Sequence, residues 1–136
     1  MVSDNHVENS APEQLGGIRQ SLLRLHKALL DTERENYERR HGRIESNYTF
    51  LDLLMHDPWF DWLHRLSELI VQIDEMLDME EPPGKRGADG VIDQAKGLLA
   101  PAENGNEFQR KYFNALQQSP DVVLAHAEVV RLFGLR

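Results

Sequence analysis

The chain contains no cysteine, which excludes a disulfide framework and thiolate metal sites. It also has few basic residues: 15 Lys and Arg stand against 23 Asp and Glu, for a formal charge of -8. Broad binding to nucleic acid or to an anionic membrane requires a basic face, so this balance argues against both kinds of partner.

Long hydrophobic runs are absent as well. No apolar stretch approaches the roughly 20 residues that a membrane span requires. The first residues, MVSDNHVENSAPEQ, are polar and lack the apolar core of a signal peptide. We therefore expect a soluble cytoplasmic protein that binds neither nucleic acid nor membrane.

The sequence lacks a recognisable catalytic motif. There is no Ser-His-Asp or Cys-His order and no GxSxG. The one glycine-rich basic stretch, GKRGADG at 84–90, follows no strand and has Arg86 where a phosphate-binding loop needs Ser or Thr. Glu38 and His41 have the Glu-x-x-His spacing of di-iron bundles, but they lie in an all-polar helix end. We predict no catalytic residue, no cofactor and no metal ligand, which favours a non-enzymatic role.

Helical periodicity is strong over Asp57–Asp78. Asp57 can cap this helix, and Pro58 suits its first position because the missing N–H has no intrahelical partner there. Apolar residues recur at steps of three and four along one face: Trp59, Trp62, Leu63, Leu66, Leu69, Ile70, Ile73, Met76 and Leu77. The pattern predicts a long amphipathic helix around which the chain is organised.

A second long helix is predicted near the N-terminus, after a tail over residues 1–11 that is disordered or weakly docked. Ser10 and Glu13 form a capping box with Pro12 inside the first turn, and Gly42 is a plausible end. Its apolar residues alternate at three- and four-residue steps, as in a coiled-coil seam: Leu15, Ile18, Leu22, Leu25 and Leu29.

Shorter helices are predicted elsewhere. Residues 47–56 indicate a helix buried on more than one side, and 80–90, EEPPGKRGADG, indicates a flexible loop. Further short helices follow over 91–100, over 107–118 and from Ser119 to Gly134. The last of these is expected to face inward through Val123, His126, Ala127, Val130 and Phe133. The fold class is all-α: an irregular bundle of two long and three or four short helices in one domain, 12–136.

Two histidines fall inside apolar arcs, His26 on the first helix and His126 on the last. Glu33 and Tyr37 extend the stripe that contains His26. A buried histidine needs a partner for its ring N–H, and a backbone carbonyl or a carboxylate would satisfy it. Alternatively, His26, Glu33, Tyr37 and His126 form one polar pocket for a small ligand or a single metal ion.

Three aromatic residues open the helix predicted at Asp57–Asp78. Trp59 and Trp62 either pack in the core or form a contact surface, since Trp is enriched at interface hot spots. Phe60 is predicted to point away from them, toward the outer face that it shares with His64. An apolar side chain there indicates a covering segment, such as residues 47–56, or a partner chain.

The leading hypothesis is a non-enzymatic protein–protein interaction or regulatory module that forms a homodimer or binds another protein. Its predicted interface combines the seam of the first helix, Leu15, Ile18, Leu22, Leu25 and Leu29, with Trp59, Phe60 and Trp62. The alternative is a helical bundle that binds a small ligand or a metal through its inward-facing histidines.

Three strings carry a resemblance: LHKALLDTERENYERRHGRI, WLHRLSELIVQIDE and SPDVVLAH. They make most of the chain after residue 20 similar to a family of small all-helical bacterial proteins to which no activity is attached. The resemblance implies a bacterial cytoplasmic setting and carries no mechanism with it.

Overall fold

The computed structural model describes residues 10–134, in which six α-helices and one 3-10 helix occur and no strand is present. The elements are α1 (Ala11–His41), α2 (Asn47–His56), the 3-10 helix (Pro58–Leu63), α3 (His64–Leu77), α4 (Lys85–Leu98), α5 (Glu107–Gln118) and α6 (Pro120–Phe133). The predicted all-α helical bundle is confirmed. No helix within the described residues is long and apolar enough to cross a membrane.

The bounds of α1 follow from its local chemistry. Ser10 Oγ accepts a hydrogen bond from the backbone N–H of Glu13 at 3.2 Å, and Pro12 lies in the first turn. Gly42 ends the helix with a φ of 93°, a conformation that side chains with a Cβ rarely adopt. Of the predicted tail over residues 1–11, residues 1–9 lie outside the described part of the chain, while Ser10 and Ala11 cap and begin α1.

The central element is α1 rather than the helix predicted at Asp57–Asp78. It contacts α3, α4, α6 and the 3-10 helix. Its apolar seam fills the middle of the bundle, with each member 0–1% exposed: Leu15, Ile18, Leu22, Leu25 and Leu29. The seam is therefore covered by the other helices of the same chain.

Polar contacts at heptad spacing fix α1 against its antiparallel neighbour. Arg19 forms an ion pair with Asp74, and seven residues further along α1 His26 contacts Ser67. After another seven residues Glu33 accepts a hydrogen bond from the indole of Trp62. The residue numbers of the contacts fall from 74 to 62 as those of α1 rise from 19 to 33. The segment 62–74 therefore runs antiparallel to α1, and these contacts fix one register between them.

The predicted helix over Asp57–Asp78 is in fact a 3-10 helix followed by α3. Asp57 caps the segment as expected, accepting from the backbone N–H of Trp59 at 2.8 Å. In a 3-10 helix residues three apart share one side, so Phe60 and Leu63 both point inward and are 1% and 2% exposed. An α-helical turn would direct Phe60 outward and lose burial worth about 1.5–3 kcal/mol.

The covering segment predicted for Phe60 is present. Its ring packs edge-on against Phe50 of α2, with centroids 5.8 Å apart. The prediction that α2 is buried on more than one side is wrong, since none of its residues is buried. Only one side of α2 is covered, because it forms the outermost layer of the bundle.

The predicted flexible loop over 80–90 is shorter than expected, because α4 begins at Lys85. Burial of Ala88 and Val91, which are 0% and 3% exposed, stabilises helix where the glycines alone disfavour it. A Cβ at Gly87 would lie 3.3 Å from the Cβ of Pro83, so a glycine also permits this tight approach.

Candidate interaction surface

The predicted interface residues lie inside the bundle, which corrects that prediction. The seam of α1 is fully covered: Leu15, Ile18, Leu22, Leu25 and Leu29. Phe60 and Trp62 are 1% and 4% exposed, and Trp59 is half-buried against the same core. A partner cannot reach the seam of α1 without unfolding the chain, because α3, α4 and α6 already cover it.

His26 points toward α3. Its Nε2 lies 2.9 Å from the hydroxyl of Ser67, which donates in turn to the carbonyl oxygen of Leu63 at 3.4 Å. Which of His26 and Ser67 donates depends on the tautomer of the imidazole. Burial lowers the pKa of His26 below its ordinary value and favours the neutral ring.

His126 has its partner on another helix. Its Nδ1 lies 2.5 Å from the hydroxyl of Tyr112 on α5. Burial raises the pKa of Tyr112 and lowers the pKa of His126, which favours the neutral phenol and the neutral imidazole in this pair. Both histidines thus bond hydroxyl groups, where a carbonyl or a carboxylate was expected.

Glu33 and Tyr37 also have separate neighbours. Glu33 accepts from the indole N–H of Trp62 at 3.0 Å and from the side-chain amide of Asn36 at 2.9 Å. The ring of Tyr37 packs against three other rings: His41, Trp59 and Phe60.

The predicted pocket of His26, Glu33, Tyr37 and His126 is therefore not assembled. Each of the four has its own neighbours, and His26 and His126 bond to different helices. Within residues 10–134 no group of three or more His, Asp and Glu side chains could hold a metal ion. The two histidines tie α1 to α3 and α5 to α6.

The exposed side of α6 is apolar along most of its length. Val123, Leu124 and Val130 are 44%, 69% and 49% exposed, and Pro120 and Ala127 are exposed beside them. We call these five residues the α6 face. Since the other side of α6 is buried in the core, this helix has apolar residues on two sides, and its charged residues Asp121, Glu128 and Arg131 lie between them.

The inward face predicted for α6 is wrong in part. Val123, Ala127 and Val130 were expected in the core, where the structure instead places Val122 and Val129, both 0% exposed. Periodicity could not distinguish the two sides, because both are apolar. The signal in the sequence was the presence of apolar residues on two sides of this helix, with few charged residues between them.

A cavity of about 390 Å³ lies beside the α6 face, between α6 and α1. The two helices are antiparallel. Asn36 of α1 forms hydrogen bonds with Gln118, just before α6, whereas Arg24, twelve residues earlier in α1, interacts through its charge with Glu128, further along α6. Charged, polar and apolar residues all line the cavity: Ser21, Arg24, Lys27, Ala28, Asp31, Asp121, Leu124, Ala125 and Glu128.

Charged groups border the α6 face on the side of this cavity. Arg131 donates to both carboxylate oxygens of Glu128, at 3.0 and 2.8 Å. This contact lowers the pKa of Glu128, and the charge of Arg24 acts in the same direction. The negative charge of Asp121 contributes to raising the pKa of Lys27 on α1.

The outer side of α2 is a second uncovered apolar surface. Tyr48, Leu51 and Met55 share this side and are 83%, 55% and 61% exposed. Only one charged residue of α2, Asp52, lies among them, and it contacts His56 of the same helix at 3.2 Å. We call Tyr48, Leu51 and Met55 the α2 face.

Comparisons with protein-family models, with curated proteins and with solved structures find no match to this chain. Two uncovered apolar surfaces stand out, and the α6 face is the one bordered by charges of both signs.

Proposed function

We propose that this chain is a non-enzymatic helical protein–protein interaction module whose contact surface is the α6 face. This surface takes the place of the interface predicted along the α1 seam. One observation carries the proposal: α6 buries one apolar side in the core and leaves a second apolar side uncovered over about 15 Å, from Pro120 to Val130.

Covering the α6 face with another protein gives a favourable free energy. Full burial of an exposed Val or Leu side chain contributes about 1.5–3 kcal/mol. Val123, Leu124 and Val130 are roughly half exposed, so their burial contributes about half of this each, a few kcal/mol together. Val71 on α3, by contrast, is an isolated exposed apolar residue of the kind found on every protein surface.

The charged groups near the cavity form two ion pairs. Lys27 pairs with Asp31 at 2.9 Å, and Glu128 pairs with Arg131. The ligand- or metal-binding alternative has no observation of comparable weight, because its four residues have separate neighbours.

The proposed setting is the bacterial cytoplasm, as the sequence resemblance implies. The test replaces Ala127 with a photo-crosslinking amino acid in bacterial cells that produce the chain. The matched control carries the same amino acid at Val71, which is 52% exposed on a different helix. Irradiation is followed by separation of the crosslinked products by mass.

We expect a covalent protein adduct from position 127 and none from position 71. Adding Val123→Lys and Val130→Lys should abolish the adduct while circular dichroism shows unchanged helix content. Equal labelling from both positions, or no adduct from position 127, contradicts the proposed function.

A further inference from the structure

We propose that the protein bound at the α6 face is a second copy of this chain, with the two α6 helices antiparallel and centred on Ala127. This inference rests on the proposed function and names its partner. The support is the arrangement of side chains about Ala127, which is complementary to itself under a two-fold rotation.

The apolar side chains of the two α6 helices face each other in this arrangement. A helix rises 1.5 Å and turns about 100° per residue, which places Val123 about 40° and Val130 about 60° to the same side of Ala127. A two-fold axis that lies between the helices and is perpendicular to both helix axes keeps each side chain on the same side of the pair. It reverses the position of that side chain along the helix axis. Val123 of one protomer then lies within about 1.5 Å in height of the partner's Val130, and the reverse contact is identical.

Ala127 lies at the centre of this contact. Its small side chain allows the helices to approach to the 8–10 Å that is usual for packed helices. Leu124 lies on the other side, where it covers the aliphatic stem of the partner's Arg131. Each of these groups is exposed in the single chain.

Opposite charges of the two protomers also face each other on the side of Leu124. Arg131 lies four residues after Ala127 and Asp121 six residues before it, so Arg131 and the partner's Asp121 differ in height by only about 3 Å. Asp121 is exposed and interacts with Lys27 through its charge, so its carboxylate can also accept a hydrogen bond from the partner's Arg131. Two such contacts form, one at each end of the pair.

Charge also favours this surface over the rest of the molecule. The formal charge of -8 makes two copies repel each other over most of their surfaces. Around the α6 face, Asp121 and Glu128 are balanced by Arg131 and Arg24, so like charges do not oppose the approach. On α2 the one carboxylate, Asp52, already contacts His56 of the same helix.

The area of the contact implies a weak dimer. Three turns of one helix bury far less than the roughly 800 Å² per partner of a standard stable interface. We therefore expect a dissociation constant on the order of 0.1 mM, the range of transient contacts.

Disulfide trapping tests the geometry directly. Because the chain has no cysteine, an introduced cysteine reports only on its own position. Ala127→Cys should oxidise to a dimer of twice 15.7 kDa at least about tenfold faster than Leu51→Cys, since association raises the effective thiol concentration. Leu51 is 55% exposed on the α2 face, so equal rates at the two positions, or a faster rate at Leu51, overturn the inference.

A charge exchange tests the direction of the helices. Asp121→Arg and Arg131→Asp each place like charges at both ends of an antiparallel pair, and each alone should associate roughly three- to tenfold more weakly than the wild type. Mixing the two variants restores both opposite-charge contacts and should return association to the wild-type level. Single variants that associate as well as the wild type overturn the antiparallel arrangement.

The two proposals fail in different ways. If photo-crosslinking at position 127 yields an adduct of some other mass while Ala127→Cys shows no preference over Leu51→Cys, the α6 face binds a different protein. The proposed function then stands and the second-copy inference falls. An absence of both products removes both.

Discussion

Glu33 on α1 accepts a hydrogen bond from the indole N–H of Trp62 at 3.0 Å, which joins the central helix to the 3-10 helix. Trp62 is 4% exposed, so its N–H has little access to water as a substitute partner. The 3-10 helix in turn holds Phe60 under α2. This one hydrogen bond therefore helps to fix the outer layer of the bundle relative to its centre.

Removing the acceptor at Glu33 should destabilise the chain. Glu33→Leu leaves the indole N–H of Trp62 unpaired in a buried site, and we expect a loss of about 1–3 kcal/mol in the free energy of unfolding. Glu33→Gln keeps a side-chain oxygen and should lose less. Urea unfolding monitored by tryptophan fluorescence measures both; equal stability of the Leu variant and the wild type would show that the hydrogen bond is not needed.

Acidification should weaken the fold through its two half-buried histidines. The folded-state pKa values of His26 and His126 lie below the ordinary value of 6.5, because burial disfavours the charged rings. As pH falls through 6.5, the unfolded chain takes up protons before the folded chain does, so the free energy of unfolding decreases until the lowered folded pKa is reached.

The matched variant is His26→Gln with His126→Gln, which keeps hydrogen-bonding groups but does not titrate. The urea midpoint should drop less between about pH 7.5 and about pH 5.5 in this variant than in the wild type. An identical drop in the two proteins would assign the pH dependence to other groups.

Two glycines of the first helix region should respond in opposite directions to alanine. Gly42 has a φ of 93°, so Gly42→Ala should cost about 1–3 kcal/mol. Gly17 lies inside α1 with nothing within 4 Å of an added Cβ, so Gly17→Ala should stabilise by about 0.5–1 kcal/mol. Thermal unfolding of the two variants checks the contrast, and a shift in the same direction for both would contradict it.

The seam of α1 and the α6 face should differ in their contribution to monomer stability. Leu25 is 0% exposed, and Leu25→Ala should cost about 2–5 kcal/mol. Val130 is 49% exposed, and Val130→Ser should change the stability of the monomer by no more than about 0.5 kcal/mol. Unfolding at low protein concentration compares the two, and a large loss at Val130 would mean that it packs in the core.

Local chemistry explains why most helix bounds could be predicted from the sequence. Asn106 forms a capping box with Gln109 at the start of α5, and Ser119 with Pro120 opens α6, each within four residues. The start of α4 could not be predicted in this way, because it depends on burial of Ala88 against distant residues.

The faces of the helices were harder to predict than their bounds. An apolar seam such as that through Leu22 and Leu25 indicates that something covers it, and the covering helices proved to belong to the same chain. In α6 two sides are apolar, and the periodicity favoured Val123 for the core where the structure buries Val122. The 3-10 turn at Phe60 depends on contact with α2 and has no local signal.

Self-association through the α6 face is tested most directly by light scattering of the purified chain over a concentration series that reaches about 1 mM, beside the variant Ala127→Arg. We predict that the wild-type mass rises from 15.7 kDa toward twice that value, while the variant stays at the monomer mass because a buried arginine blocks the centre of the contact. A wild-type mass of 15.7 kDa at every concentration, or equal association of the variant, would contradict self-association through the α6 face.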